Sequence, residues 1–182
     1  MFPNRKSIRL LSFALLAALA LTSCSTYTPV LEKPTQAGDS LVFGYIDMDD
    51  APTPVKWVNM KRMRPVVATP YYNFWVVDGT FFRGHTPYGS YKFTQFGGSN
   101  YTYSFPEQGK GELDPQINTP GVYYVGSYKY KKISKGLFRD DEFDLVKTDS
   151  PSELELLKKI VVYAQDDYWK AMIEKRIREL EK

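Results

Sequence analysis

The chain reads as mainly β with C-terminal helices: an antiparallel β-sandwich followed by one or two amphipathic helices packed on it. Three observations carry this. Residues 41–147 are rich in Tyr, Phe and Val and are broken at short intervals by Pro, Gly, Asn and Asp. Several of these runs alternate apolar with polar residues, the period of a strand with one buried face. After residue 150 the apolar spacing changes from two to that of a helix.

The expected strands are 41–47, 55–60, 71–78, 81–83, 90–96, 100–105, 122–130 and 142–146. Alternation is clearest where Tyr91 and Phe93 are set against Lys92 and Thr94, and where Tyr101, Tyr103 and Phe105 are set against Thr102 and Ser104. Gly97-Gly98-Ser99-Asn100 between these two runs suits a tight hairpin, because Gly and Asn tolerate positive φ. Ser150-Pro151-Ser152-Glu153 has the spacing of a capping box with Pro at the first helical position, and Leu157, Val161 and Ala164 follow at helical spacing. Beyond Gln165-Asp166-Asp167, a second stretch aligns Trp169, Met172, Ile173, Ile177 and Leu180 on one stripe. Packing on the sheet is the expected role of that stripe. A partner helix is the alternative, and a membrane-surface helix fits less well because the polar face is mixed in sign.

Thr86-Pro87-Tyr88-Gly89-Ser90-Tyr91 and Thr119-Pro120-Gly121-Val122-Tyr123 both put Pro, Gly and an aromatic at the entry to a strand. With Val77-Asp78-Gly79-Thr80-Phe81-Phe82 upstream, the first copy resembles the signature of prealbumin-like β-sandwich modules, such as carboxypeptidase regulatory domains and many envelope lipoproteins. The resemblance spans residues 47–96 and implies a sandwich, prealbumin-like or Ig-like. It departs from the pattern by inserting Tyr88 between Pro and Gly and by holding His85 just upstream. The motif implies a fold and no active site.

The N-terminus has a different character. Arg5, Lys6 and Arg9 precede an uncharged apolar run from residue 10 to 21, which has the layout of a signal peptide. The run is shorter than the roughly 20 residues a membrane-spanning helix requires. It ends in Leu21-Thr22-Ser23-Cys24, which resembles a bacterial lipobox. That resemblance implies cleavage before Cys24, with a diacylglycerol on its sulfur and an acyl chain on its nitrogen. Ser25 in place of Asp implies the outer membrane. The chain then divides into a leader (1–23), a lipidated flexible tether (24–40), a β-sandwich (41–148) and a helical segment (149–182). Residues 25–39, rich in Ser, Thr, Pro, Gln and Gly, have too few apolar side chains to order themselves.

The formal charge of +3 comes from 24 basic and 21 acidic residues, and the leader holds three basic residues and no acidic one. From Cys24 onward the two signs balance, so a nucleic-acid partner lacks its main electrostatic support.

Few residues suggest chemistry. His85 is the only histidine, no Gly-x-Ser-x-Gly elbow is present, and lipidation would consume Cys24, the only cysteine. Asp47, Asp49 and Asp50 could offer hard oxygen ligands to Ca²⁺ but lack the glycine and distal glutamate of an EF-hand. A solvated turn is the simpler reading, and no metal or nucleotide cofactor is expected. Trp57 and Trp75 with Tyr123, Tyr124, Tyr128 and Tyr130 could form a platform for a partner or a sugar ring, although a sheet also consumes aromatics in its core. Trp57, Trp75, Tyr124 and Tyr128 are the candidate ligand-binding residues.

The expected function is that of a noncatalytic, outer-membrane-anchored lipoprotein. It would touch the bilayer through Cys24 and bind or position another envelope component, in all expectation a protein. The alternatives are an envelope hydrolase or glycan-processing enzyme using carboxylates around Asp47, Asp49, Asp50 and Asp78, and a small-ligand or glycan-binding lipoprotein.

Overall fold

A computed structural model describes residues 28–34, 36, 38–105, 114–133 and 142–182. The leader and Cys24 lie outside the described residues. Among those residues the chain forms nine strands and two C-terminal α-helices: β1 (Ser40–Asp47), β2 (Trp57–Arg64), β3 (Tyr71–Val77), β4 (Thr80–Thr86), β5 (Gly89–Gly97), β6 (Thr102–Ser104), β7 (Gln116–Ile117), β8 (Val122–Ile133), β9 (Glu142–Thr148), α1 (Glu153–Ile160) and α2 (Asp167–Leu180), with a 3-10 turn at Val161–Tyr163 between the helices. The expected strands all occur, and β7, two residues long, is additional.

The strands follow one path, β6-β5-β2-β3-β4-β1-β8-β9, with β7 on the far end of β5. This differs from the expected antiparallel sandwich of two sheets. The sheet is single, mixed and curled into a half-barrel, and its parallel step is β1 on β8, where Leu41 pairs with Val122 and Ile46 with Tyr128. Curling has local causes. Two residues of β8, Val125 and Gly126, oppose the single Gly44 of β1, and Gly126 takes φ 113°. Such a bulge bends and twists the strand. A Cβ on Gly44 would lie 2.6 Å from Phe81 Cζ and 2.8 Å from the Gly126 carbonyl, so the approach needs glycine.

The curl brings together the two ends of the sheet, which are not paired as strands. Tyr103 of β6 lies 5.1 Å from Phe143 of β9 and 5.4 Å from Tyr130 of β8, centroid to centroid, and Phe96 lies 5.6 Å from Phe143. Aromatic side chains thus fill the seam that a second sheet would occupy in a sandwich.

β1 runs through the centre and is buried on both faces. Val42 and Ile46 point into the curl with Val58, Met60, Phe74, Phe81, Phe93 and Phe96. Leu41 and Phe43 point outward, where Phe82, Leu156, Leu157, Ile160, Trp169 and Ile173 complete a second core beneath the helices. The alternating inward and outward burial of one strand yields two cores in one domain.

Both helices start on side-chain caps. Ser152 is the N-cap of α1, and its hydroxyl accepts from the Glu155 N–H while Glu155 accepts from the Ser152 N–H at 2.7 Å. The capping box therefore lies two residues later than expected, with Pro151 outside the helix. Asp166 caps α2 through the Trp169 N–H at 3.2 Å. Arg176 of α2 grips Glu153 at the start of α1 through Nε and Nη2, at 2.7 and 3.1 Å.

The segment expected to be a tether is packed at both ends of its described part. Leu31 is fully buried in the helix-side core and donates its N–H to the Tyr163 carbonyl at 2.8 Å. Asp39 and Ser40 are buried at the entry to β1. Composition underestimates this segment, because the single Leu31 is enough to dock it.

Candidate functional site

The inward face of β2 carries Val58, Met60 and then Arg62, and that of β4 carries Phe81 and then Arg83, beyond which Gly84 and His85 form a bulge opposite Leu41. Each strand thus leaves the apolar interior at the same end of the half-barrel by exchanging an apolar side chain for a basic one. There the chain forms a cleft of about 470 Å³, lined by Asp39, Arg62, Pro65, Tyr72, Pro87 and Tyr88 among others.

Arg62 dominates this cleft. It is only 8% exposed, yet among the described residues no carboxylate lies within ion-pair distance of it. Its Nη2 donates to the Tyr88 carbonyl, and its guanidinium lies 5.5 Å from the Tyr88 ring and 6.0 Å from the Tyr91 ring. Nε is enclosed with no hydrogen-bond partner. Buried charges are normally paired, and a buried donor left without an acceptor costs about 1–3 kcal/mol or more. The two ring faces offset part of that cost.

Its surroundings are also polar. Tyr91 donates to the Pro87 carbonyl at 2.6 Å. Burial, followed by the neighbouring Tyr72, pushes its phenol well above the usual range, so it is neutral and acts as a donor. Arg83 lies 5.2 Å from the Tyr72 ring centroid and donates to the Asn73 carbonyl at 2.6 Å. Burial depresses the pKa of Arg83, opposed by Tyr72, Tyr91 and Asp39.

His85 Nδ1 lies 3.3 Å from Asp39 Oδ2. His85 adopts φ 52°, a left-handed conformation costing a non-glycine residue about 1–3 kcal/mol. His85 sits near the end of β4 and ties that strand to the segment entering β1. Gly89, at φ 152°, brings the β5 backbone so close to Arg64 and Arg62 that no Cβ fits.

The aspartates lie elsewhere. Parallel pairing sets Asp47 opposite Lys129, whose Nζ lies 3.7 Å from Asp47 Oδ2 and 3.3 Å from Asp50 Oδ2. Asp47 Oδ1 accepts the Asp49 N–H at 2.9 Å. Lysine therefore takes the place a cation would have taken, and among the described residues no group of three or more His, Cys, Asp or Glu could hold a metal ion.

The candidate aromatic platform is dispersed. Trp57 lies at the β5–β6 hairpin and donates to the Gly98 carbonyl at 3.3 Å. Trp75 and Tyr124 pack on the helix-side core, where Tyr124 is 5.5 Å from Phe43 and donates to Ser127 Oγ at 2.9 Å. Tyr128 is buried over Gly126 and donates to the Val125 carbonyl. Tyr123 turns back to Thr119 and Tyr130 joins the seam. These residues supply packing and local hydrogen bonds, and they share no common face.

No protein-family model, curated protein or solved structure matches the chain.

Proposed function

We propose that this chain is a noncatalytic binding protein of a bacterial envelope, anchored by lipid on Cys24, which engages another envelope component through the Arg62 cleft. One observation carries the reading: a guanidinium with no carboxylate partner is held, at a cost in stability, against an open cleft of ligand-binding size. Features that cost stability without serving the core are characteristic of binding sites. The lipobox supports the anchor, and Ser25 favours the outer membrane. Docking of Leu31 adds a geometric consequence, since the seven residues from Cys24 span at most about 25 Å. The domain would then work close to the bilayer.

A hydrolase reading draws support only from the Asp39–His85 pair, because Lys129 engages Asp47 and Asp50. Asp39→Asn with an unchanged cellular phenotype would remove that support.

Two measurements test the proposal. Cys24→Ser should abolish incorporation of labelled palmitate, and persistent labelling would refute the anchor. A photo-crosslinking residue at exposed Tyr88 should trap one discrete envelope component in cells, whereas the same group at exposed Val162 on the helix side should not. Identical adduct patterns from both positions would refute the cleft as the binding face.

A further inference from the structure

We infer that the Arg62 cleft takes an oxyanion, the carboxylate or phosphate of its ligand, with the guanidinium as the recognising group. The inference rests on the cleft's being the binding face, and adds the chemistry that it recognises.

Arginine is the side chain suited to such a group, since its planar fork matches carboxylate and phosphate oxygens and it remains charged. Of its three nitrogens, Nε is enclosed and Nη2 is bonded to the Tyr88 carbonyl, whereas Nη1 has no acceptor among the described residues and is not enclosed. Nη1 is therefore the nitrogen open to the cleft. Two rings lie near the guanidinium and the Tyr88 carbonyl holds one of its nitrogens, so less side-chain entropy is lost when an anion arrives. Further positive charge stands behind the cleft at Arg83, which meets the lining residue Tyr72.

Asp39 is the nearby carboxylate that could have neutralised Arg62. It is held instead by His85 and accepts the Gln36 N–H at 3.3 Å. Among the described residues it does not reach ion-pair distance of Arg62, although its charge remains part of the cleft lining.

A structural arginine and a recognition arginine differ in one measurable respect. If Arg62 serves the fold, its loss lowers stability. If it is held for a ligand, an apolar residue of similar length removes a buried, incompletely bonded charge, and stability is retained or rises.

The test uses the full-length protein in a zwitterionic detergent, with inorganic phosphate and citrate as soluble probes. Vesicles of phosphatidylglycerol in phosphatidylcholine serve as the lipid probe, against phosphatidylcholine alone. Saturable binding of any anionic probe by the wild type is expected, with a raised melting temperature and movement of the Arg62 side-chain N–H resonances. Arg62→Lys should weaken binding at least tenfold, about the loss of one charged hydrogen bond. Arg62→Met should abolish binding while melting no lower than the wild type in the absence of anion.

A response to phosphate or citrate identifies a free oxyanion as the source, and a response to the anionic vesicles alone identifies a lipid headgroup. Either supports the inference. Wild-type Arg62 resonances that stay fixed through all the titrations would overturn it. So would binding that survives in Arg62→Met. An Arg62→Met protein that melts well below wild type would assign Arg62 to the fold and likewise overturn the inference. A discrete crosslink at Tyr88 without any anion response would leave the binding face standing and eliminate only its oxyanion chemistry.

Discussion

The indole N–H of Trp169 donates to the carbonyl of Glu32 at 2.8 Å, so the last helix of the chain holds the segment that leads in from its beginning. Trp169 is fully buried, and beneath it Gly84 leaves just enough room: a Cβ there would lie 3.3 Å from the indole. Leu31 completes the contact on the other side. The helices are thus a clasp as well as a cover.

Trp169→Ala should destabilise the protein by about 3–5 kcal/mol, from lost burial and the cavity left behind. Urea unfolding measures this. The same variant should make residues 28–34 newly sensitive to limited proteolysis, whereas Tyr168→Ala, altering a more exposed neighbour, should not.

Gly79→Ala should cost about 2 kcal/mol or more, since the residue sits at φ 76° and a Cβ would lie 2.7 Å from the Ile46 carbonyl and from Tyr45 Cε2. Asp78→Gly at the neighbouring left-handed position should be neutral or stabilising. Thermal melting of the two variants should move in opposite directions or differ by several degrees.

Ser152→Ala should cost about 1 kcal/mol through loss of the α1 cap. Bonding to Ser152, first through its backbone N–H and then through its hydroxyl, holds the Glu155 carboxyl below the usual range. The corresponding stabilisation is present at neutral pH and disappears as pH falls through that lowered value. NMR titration should show the Glu155 carboxyl moving up toward its ordinary value in Ser152→Ala.

Tyr103 reports on the seam. Burial, and then the neighbouring Tyr130, raises its phenol from 10.0 to about 12. The unfolded chain loses this proton first, so the contribution to stability is intact below 10 and vanishes as pH rises through about 12. Phenolate absorbance of the folded protein should show one late-titrating tyrosine fewer in Tyr103→Phe than in the wild type, with the Tyr91 transition remaining later still. Phe143→Ala, which opens the seam, should bring the Tyr103 transition down toward 10.

The strands were legible because each depends on a local period, and the helices because their stripes and caps are written within a few residues. Their pairing was not legible in the same way. That β8 lies parallel to β1 depends on contacts far apart in sequence, and no residue of either strand specifies the direction of the other. β7 is two residues long and has no period to read. The candidate aromatics could not be sorted in the sequence because Trp and Tyr look alike whether they pack or bind. A signal for Arg62 was present: in Val58-Asn59-Met60-Lys61-Arg62, alternation puts the arginine on the same face as two core residues. Phe81 and Arg83 repeat that pattern on β4, and an arginine at an inward position was the informative departure.

The position of β1 also sets the order in which the molecule can be completed. Leu41 must wait for Val122, so a chain emerging N-terminus first carries a strand destined for deep burial, with one edge unsatisfied, until most of the domain has followed. Local pairs such as β3–β4 can form early, but the centre closes last, which makes folding slow and the nascent chain prone to wrong strand partners. The parallel step of the sheet thus waits on the last third of the sequence.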